Sequence, residues 1–398
     1  MDAPISNDVL DGDPKTGRFC NKNGLLLKTY GWLVKNGIGI ILLIHGLKSN
    51  TRLTFMRKNL KMQNNNKGLV VDNNNYYIYK DSWIENFNQN GWENIKGDFS
   101  CFDDLVDDVI HYMNQIQDEI SNDNQNDDES HDIVTNKKEK LPMYIIGHSL
   151  GGGIALRILQ LLGKGKEDNI NAGEANNYKK CNIMLDNSTN INEVDKDMYD
   201  INNSNDYDFD NSCSSISSTT NTIASVSDKD QEYYNYLDKL NIKGCISLSG
   251  MMRFKTIWNA RDDSIERFYL PVVNFISRVA PNLRIPSGFC YKGPQYVVNI
   301  FDYIFRINSG IKFKCISELI KAMITLNCNI NYMPTDVPLL FVHSIDDNVC
   351  YYKGTVSFYN QANVSKKNLH IVEGMNHFTT TKPGNEDILK ILLNGFLI

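Results

Sequence analysis

The stretch that decides the fold is Met143-Tyr144-Ile145-Ile146, then Gly147-His148-Ser149-Leu150-Gly151, then Gly152-Gly153-Ile154-Ala155-Leu156-Arg157-Ile158-Leu159. A short apolar run before a glycine reads as a buried strand, and the apolar spacing that follows reads as a helix. A strand that becomes a helix within a few residues holds the serine between them in a strained backbone conformation with its hydroxyl outward. The flanking glycines leave room for the turn, and the helix start beneath favours negative charge. Average glycine and serine usage predicts roughly 0.1 chance matches to G-x-S-x-G in a chain of this length. Ser149 is therefore the candidate nucleophile.

A serine hydroxyl is a weak nucleophile at neutral pH and needs a base, an orienting carboxylate and donors for the oxyanion. On a strand-turn-helix elbow these follow in the order Ser, Asp or Glu, His. Leu369-His370-Ile371-Val372-Glu373-Gly374-Met375-Asn376-His377-Phe378 supplies the base. His377 follows the strand-like run by a short loop, whereas His370 alternates with apolar residues inside it and reads as structural. The carboxylate is expected after Val337-Pro338-Leu339-Leu340-Phe341-Val342-His343-Ser344-Ile345, where Asp346 is preferred and Asp347 is taken as a solvated loop charge. Two backbone amides are expected to hold the oxyanion. One is that of Leu150. The other is that of Leu47, in the loop His45-Gly46-Leu47-Lys48 after the apolar strand at 38–44, with His45 shaping the loop.

Five segments then carry a family resemblance: ILLIHGLKSNTR at 41–52, YYIYKDSWIENFNQNGW at 76–92, CFDDLVDDVIHYMNQIQ at 101–117, YIIGHSLGGGIALRIL at 144–159 and the run at 333–378 from MPTDVPLLFVHSIDDNVCYYKGTVSFYN to VEGMNHF. The chain resembles the lysophospholipase and monoacylglycerol lipase group of the α/β-hydrolase superfamily, and in detail its asparagine-rich members from malaria parasites. Matched motif to motif, the resemblance implies Ser149 as nucleophile, Asp346 as acid, His377 as base and Leu47 and Leu150 as oxyanion amides. It implies cleavage of a carboxylic ester, of monoacylglycerol or lysophospholipid type, with no cofactor and no metal. Acyl transfer or amide cleavage on the same triad is an alternative.

The expected architecture is an α/β-hydrolase fold: a doubly wound, mostly parallel sheet with a helical cap and low-complexity inserts. One departure stands out. Such a sheet alternates strands with crossover helices, yet no strand is legible between residues 90 and 100, where the family places an internal one. Its absence would leave buried backbone groups unpaired at about 1 to 3 kcal/mol each, more than a stability margin of about 5 to 15 kcal/mol absorbs over a whole strand. The shortfall reads as a missing coding segment, which would make the chain an inactive or incompletely folded hydrolase-like protein. Substitutes within the chain are Gly68-Leu69-Val70-Val71 and Tyr76-Tyr77-Ile78-Tyr79.

Domain organisation follows from composition. Residues 1–250 form the first part of the core, with inserts at 121–140 and 164–230 whose Asn, Asp and Ser content cannot bury enough surface to order the chain. Residues 251–334 show helical apolar spacing and form the cap. Residues 335–398 complete the core. With 398 residues, 41% of them hydrophobic, there is material for one large core. A net charge of -6 gives no basic footprint for nucleic acid. Nine scattered cysteines form no zinc or disulfide pattern and point to a reducing, cytoplasmic compartment. Neither a signal peptide nor an 18-residue apolar run is legible, so the expected partner is a small ester or lipid, with peripheral membrane contact and no spanning segment.

Overall fold

The computed structural model describes residues 14–394 apart from 63–68, 72–76, 79–81, 85–91, 96–101, 124–139, 173–239, 256–264, 286–310 and shorter breaks. The chain opens with an antiparallel pair, β1 (Lys15–Cys20) and β2 (Leu26–Gly31). The central sheet then takes β3 (Gly39–Ile44), β4 (Trp92–Ile95), β5 (Met143–His148), β6 (Ile242–Leu248), β7 (Leu339–Ser344) and β8 (Lys367–Val372). Its order is β8-β7-β6-β5-β3-β4, with every pairing parallel. Interior parallel strands are covered on both faces and so read as continuous apolar runs. Accordingly β3 and β7 are buried along their whole length, while the edge strand β8 is only partly so.

Side-chain alternation divides the core into two layers. Ile40, Leu42 and Ile44 of β3 join one cluster with Ile154, Ile158 and Leu162. Ile41 and Leu43 join the other with Trp83, Ile388 and Leu392. The first layer is closed by α2 (Phe102–Asp123) and α3 (Leu150–Ala172), and the second by α7 (Asn385–Leu392) together with residues of α1 (Thr51–Phe55). Between β6 and β7 lie α4 (Leu270–Val279) and α5 (Phe313–Cys328), and α6 (Tyr352–Gln361) joins β7 to β8.

The reading that no strand lies between residues 90 and 100 is corrected. Trp92–Ile95 pairs in parallel with β3, from Gly39↔Trp92 to Leu42↔Ile95. Four residues led by an aromatic, with Glu and Asn inside, carry too little apolar pattern to register as a strand. The two proposed substitutes pair elsewhere, in small antiparallel ladders outside the central sheet. Two helices also run past their expected ends: α2 reaches Asp123 and α3 reaches Ala172, into the spans assigned to inserts. The rest of those inserts, 124–139 and 173–230, lies outside the described residues.

The stretch assigned to the cap contributes no strand to the central sheet among the described residues. Its helix α5 nonetheless packs into the main core through Leu319, Ile320, Met323 and Leu326. Gln160 Nε2 of α3 donates to the Leu326 carbonyl at 2.7 Å, fastening the two helices. In contrast Phe268, Val272, Phe275 and Val279, spaced four, three and four residues apart along one face at α4, stay exposed. Among the described residues no helix is long and apolar enough to cross a membrane.

Candidate active site

Strand order locates the site before any side chain is considered. From β3 the chain goes outward to β4, then returns to β5 on the other flank of β3. Open α/β sheets bind ligands at the carboxyl ends of strands where the order reverses in this way. The loop after β3 carries Gly46 and Leu47, and the turn after β5 carries Ser149.

Ser149 has φ of +57°, in the left-handed region that a side chain rarely occupies. The turn is so tight that a Cβ on Gly147 would come 2.2 Å from the Gly151 carbonyl oxygen, and one on Gly151 would come 2.2 Å from that of Ile44. Only glycine permits this crossing of β3, β5 and α3. The Ser149 amide donates to the Leu248 carbonyl at 2.9 Å, and its own carbonyl accepts from Gly152 and Met251 at 3.0 Å each. Backbone bonds on three sides thus hold the strained residue in place.

His377 reaches the elbow from the loop after β8. That loop turns through two positive-φ positions, Gly374 at +73° and Asn376 at +52°. Its ring is buried, with Nε2 2.8 Å from Ser149 Oγ and Nδ1 2.7 Å from Asp347 Oδ2. The expectation for Asp346 is therefore corrected: the carboxylate that meets His377 is that of Asp347, which is buried. Asp346 is exposed and accepts the Gly374 amide on Oδ2 at 2.5 Å, bracing the loop that carries His377. Asp347 turns inward because its Oδ1 accepts two amides of its own loop, Val349 at 2.8 Å and Cys350 at 2.9 Å. An aspartate two residues before a free amide forms such an Asx turn readily, but the sequence offers this to either aspartate.

Burial by itself would raise the pKa of Asp347. The charge of His377 and hydrogen bonds from His343 and His377 override it and hold the carboxyl well below the usual carboxylate range. The Cys350 thiol moves the other way: burial and then the Asp347 charge push it up, against a hydrogen bond with Ser149.

Two residues that sequence reasoning passed over join this group. His148 lies buried beside His377, ring centroids 5.2 Å apart, and donates from Nε2 to the His377 carbonyl at 2.9 Å. Burial, followed by the charge of His377, lowers its pKa to about 3. The motif letter between Gly147 and Ser149 carries no constraint in G-x-S-x-G, so nothing local marked it. His343, also buried, stands 3.2 Å from Asp347 Oδ2.

The amide of Leu150 is the first of α3, and an initial helical N–H has no acceptor within its own helix. Gly46 and Leu47 line a cleft with Ser49, Ser149, His377 and Phe378. His45 is buried at the strand end, with Nδ1 2.6 Å from the Gly46 carbonyl oxygen. His370 sits on edge strand β8, lining a groove with Leu340 and Lys390. Among the described residues no cluster of His, Cys, Asp and Glu could hold a metal ion.

Comparison with solved structures settles the architecture. A soluble variant of monoglyceride lipase from Saccharomyces cerevisiae, in complex with a substrate analogue, superposes with a TM-score of 0.53 at 15% identity over 98% of each chain. The chain has the α/β-hydrolase fold. A monoacylglycerol lipase from Paleococcus ferrophilus aligns at 12% identity over 93% of this chain and 98% of its own, with a TM-score of 0.49. Residues 233–383 match the family model described as serine aminopeptidase, S33. That span holds Asp347 and His377 but not the elbow at Ser149. No match was found among curated protein sequences.

Proposed function

We propose that the protein is a serine hydrolase that cleaves carboxylic esters through an acyl-enzyme on Ser149. The observation that carries this reading is the unbroken chain Ser149 Oγ, His377 Nε2, His377 Nδ1, Asp347 Oδ2, with links of 2.8 and 2.7 Å. In this scheme Ser149 attacks the ester carbonyl while His377 takes its proton on Nε2. Asp347, kept ionised, accepts the Nδ1–H and stabilises the imidazolium that forms. The amides of Leu47 and Leu150 hold the oxyanion. His377 then protonates the leaving alcohol, and water, deprotonated by the same histidine, releases the acid.

The substrate class we favour is a monoacylglycerol, a lysophospholipid or a similar medium-sized ester. It is supported by the motif resemblance and by the exposed apolar face at α4, which suits peripheral contact with a lipid surface in a reducing, cytoplasmic setting. We assign residues 251–334 as the cap over this site. Each methylene that a cap removes from water contributes about 0.8 kcal/mol.

The test is a fluorophosphonate probe and a p-nitrophenyl ester series. The wild-type chain is expected to label at Ser149 and hydrolyse the esters, with Ser149→Ala losing both. Wild-type activity in Ser149→Ala would end the proposal. One observation favours a second reading: the matching family model is described as a serine aminopeptidase. The same triad cleaves an amide or transfers the acyl group to an alcohol, since fold does not fix substrate. Supplying an aminoacyl amide or a lipid alcohol beside the ester, and identifying the products, separates these activities.

A further inference from the structure

Among the described contacts the Asp347 carboxylate accepts three hydrogen bonds and has one further close polar neighbour. Oδ1 takes the Val349 and Cys350 amides, and Oδ2 takes His377 Nδ1 at 2.7 Å and lies 3.2 Å from His343 Nε2. His343 belongs to β7, four residues before the aspartate, and its side chain is fully buried. Its Nε2 also stands 3.2 Å from the Cys350 carbonyl oxygen, while its Nδ1 is 2.7 Å from Thr355 Oγ1 on α6. Both neighbours of Nε2 are acceptors, so this nitrogen carries the proton. With the proton on Nε2, Nδ1 is the acceptor, and the Thr355 hydroxyl, whose other neighbour at 3.3 Å is the weaker acceptor Met252 Sδ, is its donor.

We propose that His343 is a positioning residue: its Nε2–H holds Asp347 Oδ2 in place for His377, and Thr355 fixes the tautomer that makes this possible. The proposal rests on the serine-hydrolase reading for its kinetic meaning, though the distances stand independently of it. The terminal torsion of an aspartate is broad and roughly two-fold, and the amides on Oδ1 anchor only one of its oxygens. A second donor on Oδ2 keeps that oxygen facing the base. It also shares the negative charge that His377 sees, so the proton affinity of the pair depends on a residue that never meets substrate.

The experiment compares His343→Leu, His343→Gln and Thr355→Val by fluorophosphonate labelling rate, by kcat and KM on a p-nitrophenyl ester, and by the downfield imidazole N–H resonances in proton NMR. His343→Leu is expected to slow labelling and kcat about tenfold, the size expected for one hydrogen bond to a charged group. KM should stay unchanged and the His377 Nδ1–H resonance should move. The glutamine amide can replace the lost donor, so His343→Gln should recover most of the rate. Thr355→Val should shift the same resonance through the tautomer. An unmoved resonance and wild-type rates in folded His343→Leu overturn the proposal, as does a glutamine variant no better than leucine. If His343→Leu does not fold, an unmoved resonance in Thr355→Val overturns it instead. Wild-type protein that shows the coupled resonances but neither labels nor turns over ester removes the hydrolase reading and leaves the hydrogen-bond assignment standing.

Discussion

The turn at Gly147–Gly151 and the loop at Asp346–Cys350 meet through one histidine, yet they are built by different physics. At the turn, backbone sterics against one crossing strand set the shape, with φ of +57° at Ser149 and carbonyl oxygens 2.2 Å from where Cβ atoms of Gly147 or Gly151 would stand, and backbone bonds to Leu248 and Met251 hold it. At the loop, two adjacent aspartates of the same chemistry take opposite directions, one buried against His377 and one exposed against the Gly374 amide. The first arrangement is fixed by backbone sterics and backbone bonds. The second depends on partners 28 and 30 residues away.

Removing either end of the chain should break the comparison most severely. Ser149→Ala is expected to lower ester turnover by about 10⁶-fold, the scale on which serine triads lose their nucleophile. Asp347→Asn should cost about 10⁴-fold, because the amide cannot hold the imidazole in the required tautomer. If the acid were Asp346 instead, Asp347→Asn would retain near wild-type kcat. Parallel assays of the two asparagine variants decide the matter.

The turn is sharpened by a stability measurement. Gly151→Ala would force a methyl group within 2.2 Å of the Ile44 carbonyl oxygen and 2.8 Å of that of His45, both backbone atoms of the buried β3 end. Backbone in the centre of a sheet cannot yield, so the variant should lose several kcal/mol, on the order of the largest single-site effects. Urea denaturation against wild type measures it. A loss under about 1 kcal/mol would show the turn to be looser than its contacts imply.

This contrast also explains what could be read from sequence. The core strands at 39–44, 143–148 and 339–344 were legible because burial on both faces removes polar residues from them. Spacing and chain order singled out Ser149 and His377, which the fold brings within 2.8 Å of each other. Trp92–Ile95 was not, since Glu93 and Asn94 interrupt its pattern and its place comes from pairing with β3. Asp347 was not, because an Asx turn was open to both aspartates. His148 and His343 were invisible for the same reason: each acts through a buried partner more than three residues away, His377 and Asp347 respectively.

Acid should act first at His148, inside the turn, and only later at Asp347 in the loop. In the folded state His148 takes a proton only near pH 3, whereas an unfolded histidine does so near 6.5. Between these values the unfolded chain binds a proton that the native one refuses, so stability falls as pH drops from about 6.5 towards 3. The total approaches about 5 kcal/mol. Asp347, with its pKa depressed, adds a second loss that begins as pH enters the ordinary carboxylate range at about 4, where the unfolded carboxyl takes a proton that the native one refuses. Melting temperature against pH should therefore fall in two stages for wild type, with the upper stage missing in His148→Asn. An unchanged slope between pH 6 and 4 in that variant would remove His148 as the cause.

The smallest effect separates a brace from a charge. Asp346 bonds the Gly374 amide from an exposed position, and Lys382 Nζ donates to the Gly374 carbonyl from the other side, so the loop that presents His377 is tied at one residue by two side chains. Exposed ties of this kind contribute about 0 to 1 kcal/mol, and Lys382 remains when Asp346 is changed. Asp346→Asn should accordingly lower kcat less than tenfold and leave KM alone, because the loop fluctuates more without losing its mean position. Combining it with Lys382→Ala should cost more than the sum of the single changes, since Gly374 then keeps neither tie. Strict additivity in that double-mutant cycle would mean the two side chains act independently, and the loop would owe its position to Gly374 and Asn376 backbone geometry alone.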